Sequence, residues 1–130
     1  MSIKRVLVVG AAVVAATLTA GPAFAAGSWH GISGTVYAGG AWYNSTNVRT
    51  VSSGNSAIKA QFNRTPYGGM AFRVLNYNTN VQIGSTIYAP PLSQQQIGSA
   101  GAGTKFVDSF RQQSPATGVH DYEFDGSQYY

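Results

Sequence analysis

Four acidic side chains occur in the chain, and three of them stand close together: Asp121, Glu123 and Asp125. On an extended strand this i, i+2, i+4 spacing puts the three carboxylates on one face, with Tyr122 and Phe124 on the other. Hard oxygen ligands in that arrangement could meet Ca2+, but the ion takes ~6–8 oxygens drawn from several segments. The preferred reading is a polar solvent face, with no metal site. Histidine offers little more. His30 and His120 stand 90 positions apart and form no paired-His motif. Asp121 follows His120 directly, so on a strand the two point to opposite faces and the acid cannot orient the ring. The chain has no cysteine, which excludes thiolate nucleophiles and Cys-ligated zinc.

Other catalytic patterns fail in the same way. No Gly-x-Ser-x-Gly elbow is present. The run Gly98-Ser99-Ala100-Gly101-Ala102-Gly103-Thr104-Lys105 resembles a phosphate loop, but the order is Thr-Lys where the chemistry needs Lys before the hydroxyl. Paired carboxylates for glycoside hydrolysis could come only from the last stretch of chain, and a cleft is hard to build in so small a sandwich. The expectation is therefore no catalytic residue, no cofactor and no enzyme.

Aromatic side chains are the richest resource. Tyr and Trp are amphipathic rings suited to interfaces and to sugar faces. Trp42-Tyr43 and Tyr129-Tyr130 are adjacent pairs, so on strands one ring of each must leave the core. Trp29, Trp42, Tyr43, Tyr129 and Tyr130 are the candidate binding residues.

These residues need elements to position them. Residues 1–25 read as a cleaved signal peptide: Lys4 and Arg5, an apolar stretch from Val6 to Ala20, then Ala23-Phe24-Ala25 at the cleavage site. Cleavage would leave 105 residues in one domain, held by its core without disulfides, with a formal charge of +2 in place of +4. Few charges and no Lys/Arg run in sequence argue against nucleic acid as a partner, and the apolar stretch is too short for a stable membrane span.

The remaining composition is rich in Gly, Ser, Thr, Asn, Tyr and Val, which favours sheet over helix. Period-two alternation places Ile58, Ala60 and Phe62 on one face, then Met70, Phe72 and Val74, then Val81, Ile83, Ser85 and Ile87. Residues 104–112 leave two readings open: a helix with Phe106, Val107 and Phe110 on one face, or a strand with Phe106, Asp108 and Phe110 on one side, the latter preferred because strong helix formers are scarce beyond Lys105 and Arg111. Turns are predicted at Gly39-Gly40, Pro66-Tyr67-Gly68-Gly69 and Asn78-Thr79-Asn80. Ile32–Tyr37 and Trp42–Val51 read as an N-terminal hairpin, and His120–Tyr130 as a closing strand bent at Gly126. Residues 89–103 read as one long irregular loop. The sum is an all-β chain: a single antiparallel β-sandwich of about seven strands over 26–130.

Charge is uneven. Residues 26–107 carry +5 and residues 108–130 carry −3, so the last strand is expected beside basic strands, with exposed cross-strand ion pairs.

Gly27-Ser28-Trp29-His30-Gly31, directly after the cleavage site, resembles the start of mature lactococcin-like bacteriocins. Tyr37-Ala38-Gly39-Gly40-Ala41-Trp42-Tyr43, Val48-Arg49-Thr50-Val51 and the aromatic end Tyr129-Tyr130 fit that likeness. The chain departs from the family pattern at Asn44-Ser45-Thr46-Asn47, where the family carries a basic, His-containing signature, and it is longer than a typical member. The resemblance implies a small secreted Cys-free sandwich that binds at the cell envelope of competitors. The functional expectation is a secreted, extracellular, non-enzymatic binding protein acting on another protein or a cell-envelope component, in interbacterial antagonism. Two alternatives stand beside it: a carbohydrate-binding module that takes a polysaccharide on exposed Trp and Tyr, and an extracellular protease inhibitor acting through the 89–103 loop.

Overall fold

A computed structural model describes residues 27–52, 57–66, 69–88, 93–113 and 120–130. The proposed signal peptide lies outside the described residues. Nine strands run in chain order: β1 (Trp29–Val36), β2 (Tyr43–Asn44), β3 (Arg49–Thr50), β4 (Ala57–Arg64), β5 (Met70–Asn76), β6 (Gln82–Tyr88), β7 (Gln95–Ser99), β8 (Lys105–Gln112) and β9 (Tyr122–Tyr129). They form two antiparallel sheets, ordered β1-β9-β4-β7 and β2-β8-β5-β6, with β3 also paired to β8. The class is all-β and sandwich-like, as expected, with two of the nine strands only two residues long. Among the described residues no helix is long and apolar enough to cross a membrane.

The core lies between the sheets. Ile58, Ala60 and Phe62 of β4 are buried, as their alternation predicts, and so are Met70, Phe72 and Val74 of β5. Phe62, Phe72, Phe110 and Phe124 meet ring to ring, with Phe110 and Phe124 edge to face at 4.8 Å across the sandwich. Such pairs add ~0.5–1.5 kcal/mol each beyond the apolar area they bury. Ala71 and Leu75, on the opposite face of β5, are also buried.

Three expectations about the elements are corrected. The N-terminal hairpin does not form: β1 pairs with β9, whereas β2 and β3 pair with β8, so the Gly39-Gly40 turn carries the chain from one sheet to the other. The 89–103 segment is not one loop, since Gln95–Ser99 is β7 and pairs with β4; residues 89–92 lie outside the described residues. Ser85 is exposed, and Val81 does not join the buried set either. It precedes β6 at the end of the sheet, just beyond the Asn78-Thr79-Asn80 turn, and is 63% exposed.

The predicted Asn turn is present. Asn76 Oδ1 accepts from the N–H groups of Asn78 and Thr79, and Asn76 N donates to Val81 O at 2.8 Å. Of the Pro66–Gly69 turn, Gly69 N donates to Pro66 O, while Tyr67 and Gly68 lie outside the described residues.

β9 is interior to its sheet, between β1 and β4. Its approach to β4 depends on Gly126: a Cβ there would meet the Gln61 carbonyl oxygen and come within 2.9 Å of Phe62 Cα. The pairing register shifts at this point, between Phe62 and Arg64. Where β6 and β7 bring the two sheets together, Gly84 has φ +71, and a Cβ would lie 2.6 Å from Gly98 Cα. Larger residues at either place would force strands that now touch to separate.

Candidate functional site

Paired residues in a sheet project to the same side, so the registers place the outward rows. On the outer face of the first sheet, Trp29, Tyr129 and Lys59 form one row across β1, β9 and β4. Trp29 and Tyr129 lie 5.5 Å apart with rings tilted at 54°, and Lys59 Nζ sits 5.2 Å from the Tyr129 ring centre. The next row is Gly31, Ser127 and Gln61, and the next is Ser33, Asp125 and Arg64. Arg64 bonds Asp125 at 2.9 Å and Glu123 at 3.3 Å. Ser33, Gly34, Thr35, Arg64, Glu123 and Phe124 line a pocket of about 300 Å3. The face thus runs from an aromatic pair, over a floor of small residues, to an ion cluster. At ~3.3 Å per residue the span from Trp29 to Ser33 is about 13 Å.

The closing strand therefore does lie beside a basic one, and the expected cross-strand ion pairs form at Arg64. Asp121 stands apart from them and accepts a 2.8 Å hydrogen bond from Ala38 N. Among the described residues no group of three His, Cys, Asp or Glu side chains is placed to hold a metal ion.

The outer face of the second sheet is built differently. Trp42 lies beyond the short β2–β8 pairing, and its ring faces two guanidiniums: Arg73 Cζ is 3.9 Å and Arg111 Cζ 4.9 Å from the ring centre. Arg73 Nε donates to Ser109 Oγ at 3.3 Å. Arg111 Nε is buried and has no hydrogen-bond partner among the described residues.

The candidate residues thus occupy separate places. Trp29 and Tyr129 come together on one outer face, and Trp42 lies on the other. Tyr43 turns to the opposite side from Trp42 and meets Phe110 at 5.4 Å and Tyr37 at 5.1 Å. Tyr130 packs against the core, edge to face with Phe106 at 5.3 Å and stacked on His30 at 4.3 Å. Each adjacent aromatic pair is split between faces, as strand geometry requires.

Two further constellations escaped the sequence reading. The first is Asp108, buried on the inner face of β8. Arg49 Nη1 lies 2.7 Å from Asp108 Oδ2, and Gln128 Nε2 donates to Asp108 Oδ1 at 2.7 Å from the opposite sheet. Burial pushes the Asp108 carboxyl up from its ordinary range, and the Arg49 charge and the Gln128 hydrogen bond pull against it. The signal was present, because Phe106, Asp108 and Phe110 share one side of a predicted strand and that side is core. The second is Ser28 Oγ, hydrogen-bonded to His30 Nε2 at 2.9 Å on the surface. This has the form of a nucleophile and a base, but no carboxylate orients the ring, since all four acidic side chains stand elsewhere. The Gly98–Lys105 run ends β7 and turns into β8, so no helix follows it to complete a phosphate loop.

Fold and faces together define a small all-β sandwich with two outward surfaces of different charge. Neither family models, nor curated proteins, nor solved structures match the chain.

Proposed function

We propose that the chain is a secreted, non-enzymatic binding protein that acts on a bacterial cell-envelope component or on a partner protein there, in interbacterial antagonism of the kind the lactococcin-like resemblance implies. The observation that supports a binding role is the Trp29–Tyr129–Lys59 row, set on an outward sheet face beside a floor of small residues. A tilted ring pair with 42% of Trp29 exposed offers apolar area at little entropic cost, and Arg64 with its two carboxylates adds directional hydrogen bonds. The commitment of all four carboxylates to Arg49, Arg64 and Ala38 supports a non-enzymatic reading, because none is left poised as an acid or base. The test is retention of the purified protein on intact bacteria together with growth of those bacteria. Binding that drops at least tenfold in Trp29→Ala, with growth inhibited by the wild type, is the expected result. No retention and no inhibition on any strain would sink the reading.

A second reading is carbohydrate binding on the same row, favoured by the adjoining Gly31, Ser33 and Ser127, which leave a sugar ring room to lie flat. Pull-down on peptidoglycan, chitin and cellulose separates the two. Retention on one polysaccharide that Trp29→Ala abolishes selects the carbohydrate reading. The inhibitor alternative would act through a segment that includes β7.

A further inference from the structure

The second sheet carries a feature that the first does not: two positive charges held against one aromatic ring with no negative one. Arg73 and Arg111 both face Trp42, at 3.9 and 4.9 Å. All four acidic side chains of the chain are engaged elsewhere, Asp108 on the inner face and the other three with Ala38 and Arg64. Arg73 uses one N–H on Ser109, and Arg111 Nε finds no hydrogen-bond partner among the described residues. Lys105 lies on the same outer face of β8, six residues before Arg111, so about 20 Å further along at the usual strand rise. A ring that pins two guanidiniums reduces the entropy lost when their forks close on an anion.

We propose that Trp42, Arg73 and Arg111 form a binding site for the phosphate groups of a phosphodiester polymer of polyols, with Lys105 meeting a later phosphate of the same chain. The two non-bridging oxygens of a phosphodiester can each meet one fork, and a polymer repeats that group along the strand towards Lys105. The guanidiniums already occupy the Trp42 ring, which leaves it poorly placed to stack a nucleobase and disfavours nucleic acid. The site rests on the second sheet alone and stands or falls apart from the Trp29 face.

The two tryptophans make the test direct, because each outer face carries one indole N–H. The purified 15N-labelled protein is titrated with poly(glycerol phosphate). The Trp42 indole signal is expected to shift while that of Trp29 stays, and the affinity is expected to fall with added salt. Arg73→Gln with Arg111→Gln should weaken binding at least tenfold. Arg73→Lys with Arg111→Lys keeps the charge, lacks the fork, and should weaken it several-fold. Arg64→Gln, on the other face, should leave it unchanged. Dispersed amide spectra check that each variant is folded. The proposal is overturned if neither indole shifts, if both shift together, or if Arg64→Gln costs as much as the double variant. It is equally overturned if a single-stranded oligonucleotide or phosphatidylglycerol vesicles bind more tightly than the polymer.

Discussion

The two outer faces are assembled from the same materials, a tryptophan beside basic side chains on antiparallel strands. They differ in where the acids went. On the first face Arg64 sits between Glu123 and Asp125, and Lys59 lies over Tyr129, so charge is met within the face. On the second, Arg73 and Arg111 share one ring, and the nearest acid along β8, Asp108, points inward to Arg49 and Gln128. The lesson is that a low net charge can hide a polarised molecule. One inward-pointing carboxylate leaves β8, which carries Lys105, Asp108 and Arg111, with a basic outside and an acidic inside.

The largest effect should come from that inward acid. Asp108→Ala leaves Arg49 without its buried partner and should cost about 3 kcal/mol in denaturant unfolding, the usual scale for breaking a buried pair. Arg49 is 12% exposed and can turn towards water, which places the value at the low end of that scale. The same residue carries a pH signature. Because burial raises the Asp108 pKa in the folded state, its contribution is fully present below the ordinary value of 3.8 and is lost as pH rises through the raised native value. Wild-type stability relative to Asp108→Asn should therefore fall as pH increases across that window. A difference that stays flat with pH would break the assignment of Asp108 as the titrating core group.

Trp42→Ala should come next. It removes the ring that both guanidiniums face and should cost about 1–2 kcal/mol, the sum of two partly buried cation–π contacts. Lys59→Ala on the first face removes one such contact and should cost about 0.5 kcal/mol, measured in the same denaturation series. Equal costs would erase the distinction between the faces. Asn44→Asp supplies the second face with the acid it lacks, on the row that Ser109 shares with Arg73. It should weaken binding of poly(glycerol phosphate) several-fold while raising stability by about 0.5 kcal/mol or less. Smallest of all is Arg64→Ala. Its side chain is 57% exposed and its partners are exposed as well, so screening leaves about 0.5 kcal/mol or less, and 0.5 M salt should remove most of that.

Much of the fold was legible along the chain. Period two in 58–62 and 70–74 marked the core faces of β4 and β5, the Asn run marked the turn from β5 to β6, and the preferred strand reading put Phe106, Asp108 and Phe110 on one side. What misled was adjacency. Two strands separated by Gly39-Gly40 look like a hairpin, yet β1 belongs to one sheet and β2 to the other. Pro90-Pro91 and the glycines after it suggested a loop, yet β7 pairs with β4 through a shifted register near Gly98. The candidate aromatics stood out by residue type, but their grouping was invisible. Trp29 and Tyr129 are 100 positions apart and meet only because β1 lies against β9.

By itself, then, the sequence determined the kind of chain this is. Alternation makes it all-β, the lack of cysteine leaves it to its phenylalanine core, and strand parity splits each aromatic pair between two faces. These are local consequences of backbone geometry, which acts over a few residues. Tertiary structure alone decided which face each charge would serve. It set Arg64 between two acids, left Arg73 and Arg111 facing Trp42 without one, and buried Asp108 against Gln128 of the opposite sheet. Such pairings depend on strand order and sheet packing, which bring distant residues within a few ångströms and which no local pattern encodes.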